Sequence, residues 1–278
     1  MRIKDNFHTH IYLCKHAKGN VSDYVKKAID LNYESIGISD HGPLLPHNNT
    51  VISHKRMSFE EFYSIYLKEI SQAKELFKND ITVLGALEIE FYDHMLNEYP
   101  KMLKELDYLI LGQHRIEMPD LTYKSIFKCK PEDDINLCLN IYTEEVIKGL
   151  NTGFFSILAH PDLFMQFYQK WDNSAILSSK RIIETAIKNN VILELNANGI
   201  RKGLVTTPEG IETYNYPRIE FWKLVATYKD AKVIVSDDSH KLKYLHDEAT
   251  IKAYEIAEEL KLNLEEDFPK RLKQNKDE

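Results

Sequence analysis

The chain has 278 residues, 43% hydrophobic and 28% charged, which suits one large α/β domain with ample material for a core. Lys plus Arg number 36 against 43 for Asp plus Glu, and the resulting charge of −7 disfavours non-specific binding to nucleic acid or to anionic membranes. Three cysteines without zinc-finger spacing, a polar N-terminus "MRIKDNFHTH" and the absence of any apolar run near the roughly 20 residues of a membrane span predict a cytoplasmic protein.

Strand and helix alternate along the chain. The first apolar run, 2–7, leads into "NFHTHIYLCKH", with three histidines in nine positions. A helix is predicted over 20–31, capped by Asn20 or Ser22. Strand 35–39 follows, then a helix over 58–77 opened by a capping box of Ser58 and Glu61. Strands 81–89 and 108–112 come next. Residues 115–140 lack periodicity and read as a long excursion, a kind of segment that often carries function. Helices over 142–150, 178–189, 218–230 and 246–260 alternate with strands 154–159, 191–196 and 232–236, and 265–278 read as a polar tail that frays. Seven strands with intervening helices predict parallel βα units in one domain over 1–278, closed as a barrel or spread as a doubly wound sheet.

The histidines fall at particular places. Strand one ends in His8 and His10, strand two in Asp40 and His41, strand four in His114 and strand five in His160. Strand three carries Glu88, and strand seven runs into Asp237, Asp238 and His240. Six of the seven strands therefore deliver a metal-ligand side chain at one end, where barrel active sites assemble. Alternate strand residues point the same way, so His8 and His10 project side by side, roughly 6.5–7 Å apart along the strand. Two such imidazoles can converge on one ion with bonds of about 2.0–2.1 Å. Asp238 and His240 repeat the spacing, and Glu88, with two oxygens, can bridge two ions. A set rich in imidazole suits Zn, Mn or Fe better than Ca or Mg.

Other residues carry secondary expectations. His54, His94 and His246 read as solvated, and Cys14 as a filler between ligands. His47 lies on the functional rim as a candidate to touch substrate or move a proton. Asp40 either orients a neighbouring ligand or caps its loop. For phosphate capture, Arg201 and Lys202 follow the sixth strand beside Gly199 and Gly203, and Arg115 adjoins His114.

The ordered set "HTH", His16, "SDH", "LEIE", "GQH", "AHPD" and "DDSH" resembles the PHP (polymerase and histidinol phosphatase) superfamily, and the chain length and "ELNANGIRKG" resemble its histidinol-phosphatase branch. The resemblance implies a distorted seven-stranded parallel (β/α)7 barrel, TIM-barrel-like, with a metal cluster that cleaves phosphoesters. Position by position it implies three divalent transition-metal ions: one on His8, His10, Glu88 and Asp238, a second on Glu88, His114 and His160, a third on His16, His41 and His240. The family motif commonly reads glycine-serine-aspartate-x-histidine, whereas "SDDSH" also offers Asp237; the spacing to His240 selects Asp238.

The activity so implied is hydrolysis of L-histidinol phosphate to L-histidinol and phosphate in histidine biosynthesis, by a hydroxide shared between two ions. Asp238 is the expected proton acceptor, with His47 or Asp40 as acid for the leaving alkoxide, and Glu117, Asp120 or Glu194 could receive the cationic head. The expected partner is this small phosphorylated molecule, not nucleic acid or membrane; oligomeric state is not legible. Rival readings are a nuclease or a protein-tyrosine phosphatase of the same superfamily, and a non-catalytic metal-binding protein. The first would carry basic strips that this chain lacks, and the last would have lost ligands that are all present here.

Overall fold

The computed structural model describes residues 3–47, 55–130 and 134–277, so His54 lies outside the described residues. Strand β1 (Asp5–Asn6) is followed by α1 (Val21–Asp30). Asn20, not Ser22, caps α1: its side chain accepts from the Asp23 N–H at 3.0 Å, and the Asp23 carboxylate accepts from the Asn20 N–H at 2.9 Å. Strand β2 (Ser35–Ile38) precedes a helix opened by the reciprocal bonds of Ser58 and Glu61. It runs as α2 (Phe59–Glu61), a π-turn over Phe62–Tyr66 and α3 (Leu67–Leu76). Then come β3 (Thr82–Ile89), α4 (Tyr99–Glu105) and β4 (Tyr108–Leu111). A hairpin of β5 (Arg115–Glu117) and β6 (Tyr123–Ser125) leads through a 3₁₀ turn (Ile126–Lys128) to α5 (Ile135–Leu150). Next are β7 (Ile157–Leu158), α6 (Asn173–Lys188), β8 (Ile192–Asn196), α7 (Ala197–Arg201), and a small hairpin of β9 (Val205–Thr206) and β10 (Glu212–Thr213). The last elements are α8 (Ile219–Val225), β11 (Val233–Ser236), α9 (Glu248–Glu259) and α10 (Phe268–Asp277).

Seven strands pair in parallel in the order β1-β2-β3-β4-β7-β8-β11, a nearly closed TIM-barrel-like sheet. Both faces of β2, β4, β8 and β11 are buried, which is why they read as continuous apolar runs. Inside the barrel Tyr108 crosses from β4 to donate to the Phe7 carbonyl at 2.6 Å, and only glycine fits beneath it: a Cβ on Gly37 would lie 1.9 Å from its oxygen.

The two outer strands, β1 and β11, meet along a seam with few ladder bonds. His10 N–H donates to Ser239 O (2.9 Å) and Ser239 N–H to His8 O (3.2 Å). The Asn6 side chain adds a bond across the seam by accepting from Asp237 N–H at 2.8 Å, and is held on its own strand by donating to Thr9 Oγ1 at 2.6 Å and His8 O at 3.2 Å.

Two sequence expectations are corrected. The 115–140 excursion contains a hairpin, and α5 begins about two turns before 142 because Asp134 caps it, accepting from Leu137 N–H at 3.0 Å. The polar tail is not frayed: α10 plants Phe268 and Leu272 into the barrel floor beside Phe7, Leu84 and Tyr108. Phe268 stacks edge-on against both Phe7 and Tyr108, at 4.9 and 5.1 Å. No described helix is long and apolar enough to cross a membrane. Truncation of Phe268 to alanine is expected to cost about 3–5 kcal/mol of stability, read as a lower midpoint in urea unfolding; an unchanged midpoint would restore the frayed tail.

Candidate metal centre

At the C-terminal ends of the strands a cluster of imidazoles surrounds one carboxylate. Glu88, near the end of β3, is 1% exposed. Its Oε2 lies 3.0 Å from His41 Nδ1 and 3.4 Å from both His8 Nε2 and His10 Nε2. Its Oε1 lies 3.0 Å from His160 Nε2 and 3.4 Å from His114 Nε2. Four strand ends thus aim five histidines at a single acid. Room for it comes from Gly112, where a Cβ would stand 2.2 Å from Glu88 Oε1.

Asp238 closes the other side, with Oδ1 3.2 Å from His10 Nε2 and 3.3 Å from His240 Nδ1. This buried oxygen has no hydrogen-bond partner, nor does His160 Nδ1. Two imidazole pairs face each other nitrogen to nitrogen, His8–His10 and His16–His240, each at 3.0 Å. Lone pairs repel at that distance unless a proton or cation lies between them, and two ligands on one tetrahedral zinc stand about 3.3 Å apart. Groups of three ligand atoms mutually within 4.8 Å occur at His8–His10–Glu88, His41–Glu88–His114 and His10–His41–His240, so the donor set fits divalent transition ions.

The rings are held from behind. His8 Nδ1 meets Glu194 at 2.7 Å, His10 Nδ1 meets Asp40 at 3.3 Å, and His16 Nδ1 meets the Cys14 carbonyl at 2.8 Å. Such contacts fix the tautomer and turn the other nitrogen inward. Glu90 lies 3.8 Å from His114 Nδ1 and is itself gripped by Arg56 Nη2 at 2.8 and 2.9 Å.

Electrostatics divide the rings into two kinds. Burial, then the neighbouring His240, pulls His10 down to about 3; burial, then His10, does the same for His41. Both are neutral at pH 7. Burial also disfavours the charged form of His8 and His114, but the surrounding carboxylates override it and raise both above 6.5; at His240 Asp238 does so. Burial likewise works against the ionised forms of Glu88 and Asp238, and the imidazoles outweigh it, holding both carboxyls well below the usual range.

Above the cluster opens a cavity of about 670 Å³ whose walls carry Lys55, Arg56, Arg115, Phe127, Lys128, Lys202 and Tyr216. Lys202 donates to the Tyr216 hydroxyl and sits 5.0 Å over the Phe127 ring. Several predicted residues lie elsewhere. Asp40 and Glu194 are fully buried behind the histidines, and neither lines the cavity. Arg201 does not line the cavity: its guanidinium is bound to Asp247 at 2.7 and 2.9 Å. His47 stacks on His94 at 4.3 Å and lies 3.5 Å from Glu117; neither member of that pair lines the cavity. Asp120 is exposed in the hairpin turn, bonded to Thr122. Sequence reasoning missed Glu90 and Arg56. The i, i+2 spacing of "LEIE" was a signal for Glu90, whereas nothing in "HKRM" marked Arg56.

A parallel βα barrel with imidazole and carboxylate gathered at its C-terminal rim belongs to the class whose active sites are built from strand-end loops. The chain belongs to the PHP domain family, whose model matches residues 6–198. A Schizosaccharomyces pombe protein named "Probable histidinol-phosphatase" is 23% identical over 82% of this chain and 77% of its own. The crystal structure of histidinol phosphate phosphatase from Lactococcus lactis, complexed with Zn, L-histidinol and phosphate, superposes with a TM-score of 0.70 at 16% identity, covering 94% of this chain and 95% of that one. A Listeria monocytogenes structure superposes at 0.66 with 16% identity, covering 89% and 99%. These solved structures share the fold.

Two outcomes are expected. Because His8, His114 and His240 hold protons more tightly than ordinary histidines, ion binding must displace protons, and affinity for Zn or Mn should rise as pH increases from 6.5; calorimetry in buffers of different ionisation enthalpy measures the release, and none at pH 6.5 would contradict these assignments. Gly112→Ala should push Glu88 aside and reduce bound metal, measured by elemental analysis, with an unchanged circular dichroism spectrum.

Proposed function

We propose that this chain is a metal-dependent phosphomonoesterase that cleaves L-histidinol phosphate to L-histidinol and phosphate. The observation that carries the proposal is Glu88, a buried carboxylate ringed by five imidazoles below a cavity with cationic walls. Bound divalent ions would supply Lewis acidity at the phosphoryl oxygens and acidify a water towards neutrality. The residues proposed to hold three such ions are His8, His10, Glu88 and Asp238 for one, Glu88, His114 and His160 for a second, and His16, His41 and His240 for a third. Zn, Mn and Fe suit this donor set.

The chain's own groups supply the rest. Asp238 Oδ1, without a hydrogen-bond partner, accepts the proton of the attacking water. Lys202 on one wall, with Arg115 and Lys128, offsets charge on the phosphate oxygens. Glu117, the carboxylate expected for the cationic head, lies 3.5 Å from His47 and outside the cavity lining, so it is not assigned that role. Asp40 is assigned to orienting His10 instead of to proton transfer. The names carried by the relatives support the substrate, and the same reading puts the reaction in histidine biosynthesis.

The test is phosphate release by metal-loaded protein from L-histidinol phosphate, with p-nitrophenyl phosphate and a 3′-phosphorylated oligonucleotide alongside. The expected result is a kcat/KM preference for L-histidinol phosphate of about 100-fold, equivalent to about 2.7 kcal/mol. Equal rates on p-nitrophenyl phosphate would remove the substrate assignment and keep the phosphoesterase; metal binding without turnover would remove both. Glu88→Ala should lower activity by about 10³-fold and lose metal while staying folded.

A further inference from the structure

The residue that sequence reasoning assigns to phosphate does something else. Arg201 ends the short helix α7, its side chain only 10% exposed. Its Nε donates to Asp247 Oδ2 at 2.7 Å and its Nη2 to Asp247 Oδ1 at 2.9 Å, the bidentate fork expected of arginine and carboxylate. Nη2 also donates to the Tyr244 carbonyl at 2.9 Å. Nη1 donates to the Asp237 main-chain carbonyl. The guanidinium is thereby committed, and it faces the back of the β11 turn, away from the cavity.

That turn carries Asp238. Every polar group of the preceding residue, Asp237, is tied down: N–H to Asn6, carbonyl to Arg201, carboxylate to Thr250 and to His246 N–H. Asp238 then adopts φ +47°, a left-handed conformation that non-glycine residues hold only when their surroundings over-determine it. The other end of α7 reaches the same residue. Asn198 Nδ2 donates to Asp238 Oδ2 at 3.0 Å and Asn196 Nδ2 does so at 3.2 Å, leaving Oδ1 turned to His10 and His240.

We infer that Arg201 is a positioning residue, which with Asp247 clamps the Asp237 turn so that α7 presents one oxygen of Asp238 to the metal centre. The inference rests on the metal-centre reading above. Asp247, from the N-cap of α9, completes the device: it cannot meet a substrate phosphate, yet it should matter to metal binding as much as Arg201 does.

The experiment uses the full chain as wild type, Arg201→Lys, Arg201→Met and Asp247→Asn. Four quantities are read: thermal midpoint, Zn affinity by competition with a chromogenic chelator, the visible spectrum of Co-substituted protein, and inhibition by inorganic phosphate of the metal-saturated protein. A clamp predicts Zn binding weakened by about 10–100-fold in Arg201→Met and in Asp247→Asn. It also predicts partial rescue by Arg201→Lys, an altered visible spectrum of Co-substituted protein, and an unchanged phosphate inhibition constant. Weaker phosphate inhibition in the Arg201 variants alone, with Zn affinity intact, would overturn the inference in favour of a phosphate contact. A fall in thermal midpoint with Zn affinity intact would overturn it in favour of scaffolding alone. Should Arg201→Met not fold, Asp247→Asn and Arg201→Lys decide between the same outcomes. Absence of Zn binding by the wild type would instead remove the metal reading, a failure distinct from these.

Discussion

Glu88 is the constraint around which the upper half of the barrel is arranged. A carboxylate withdrawn from water costs several kcal/mol unless opposite charge or donors surround it. Here the compensation comes from five imidazoles delivered by four separate strand ends. No local sequence arrangement could do this. It takes parallel strands in register, a glycine at 112 to leave the carboxylate its space, and acids behind the rings to fix their nitrogens. The centre is thus layered: one acid, a ring of imidazoles, then Glu194, Asp40 and Glu90. The last of these is neutralised by the buried Arg56.

The layering accounts for the opposed titration behaviour of neighbouring histidines. At His10 and His41 burial and the nearest imidazole outweigh the adjacent carboxylates, and both rings are driven to the neutral form in which imidazole is a ligand. At His8, His114 and His240 the carboxylates outweigh burial and favour the charged form.

Much of this was legible in the residue order because strand-end placement is a one-dimensional property. His8, His10, Glu88, His114 and His160 each follow a short apolar run, and parallel pairing aligns those ends. What was illegible depended on distant partners. Arg201 beside two glycines looks like a phosphate grip, and only Asp247, 46 residues later, shows otherwise. Glu194 looks like a substrate contact until β8 turns it towards His8. Helix starts at Asp134 and Asp172 were missed because the caps precede the obvious periodicity, and α10 was missed because a mostly polar segment buries only Phe268 and Leu272.

The seam between β1 and β11 has a further consequence. It is the one junction of the seven-stranded sheet held by an asparagine side chain and scattered main-chain bonds in place of a regular ladder. His8 and His10 stand on one lip, Asp238 and His240 on the other. An ion shared across these lips would act as a rivet in this joint of the cylinder. Chelation would then do more than empty the centre: it would loosen the seam between the first and last strands and lower the thermal midpoint while the barrel stays folded.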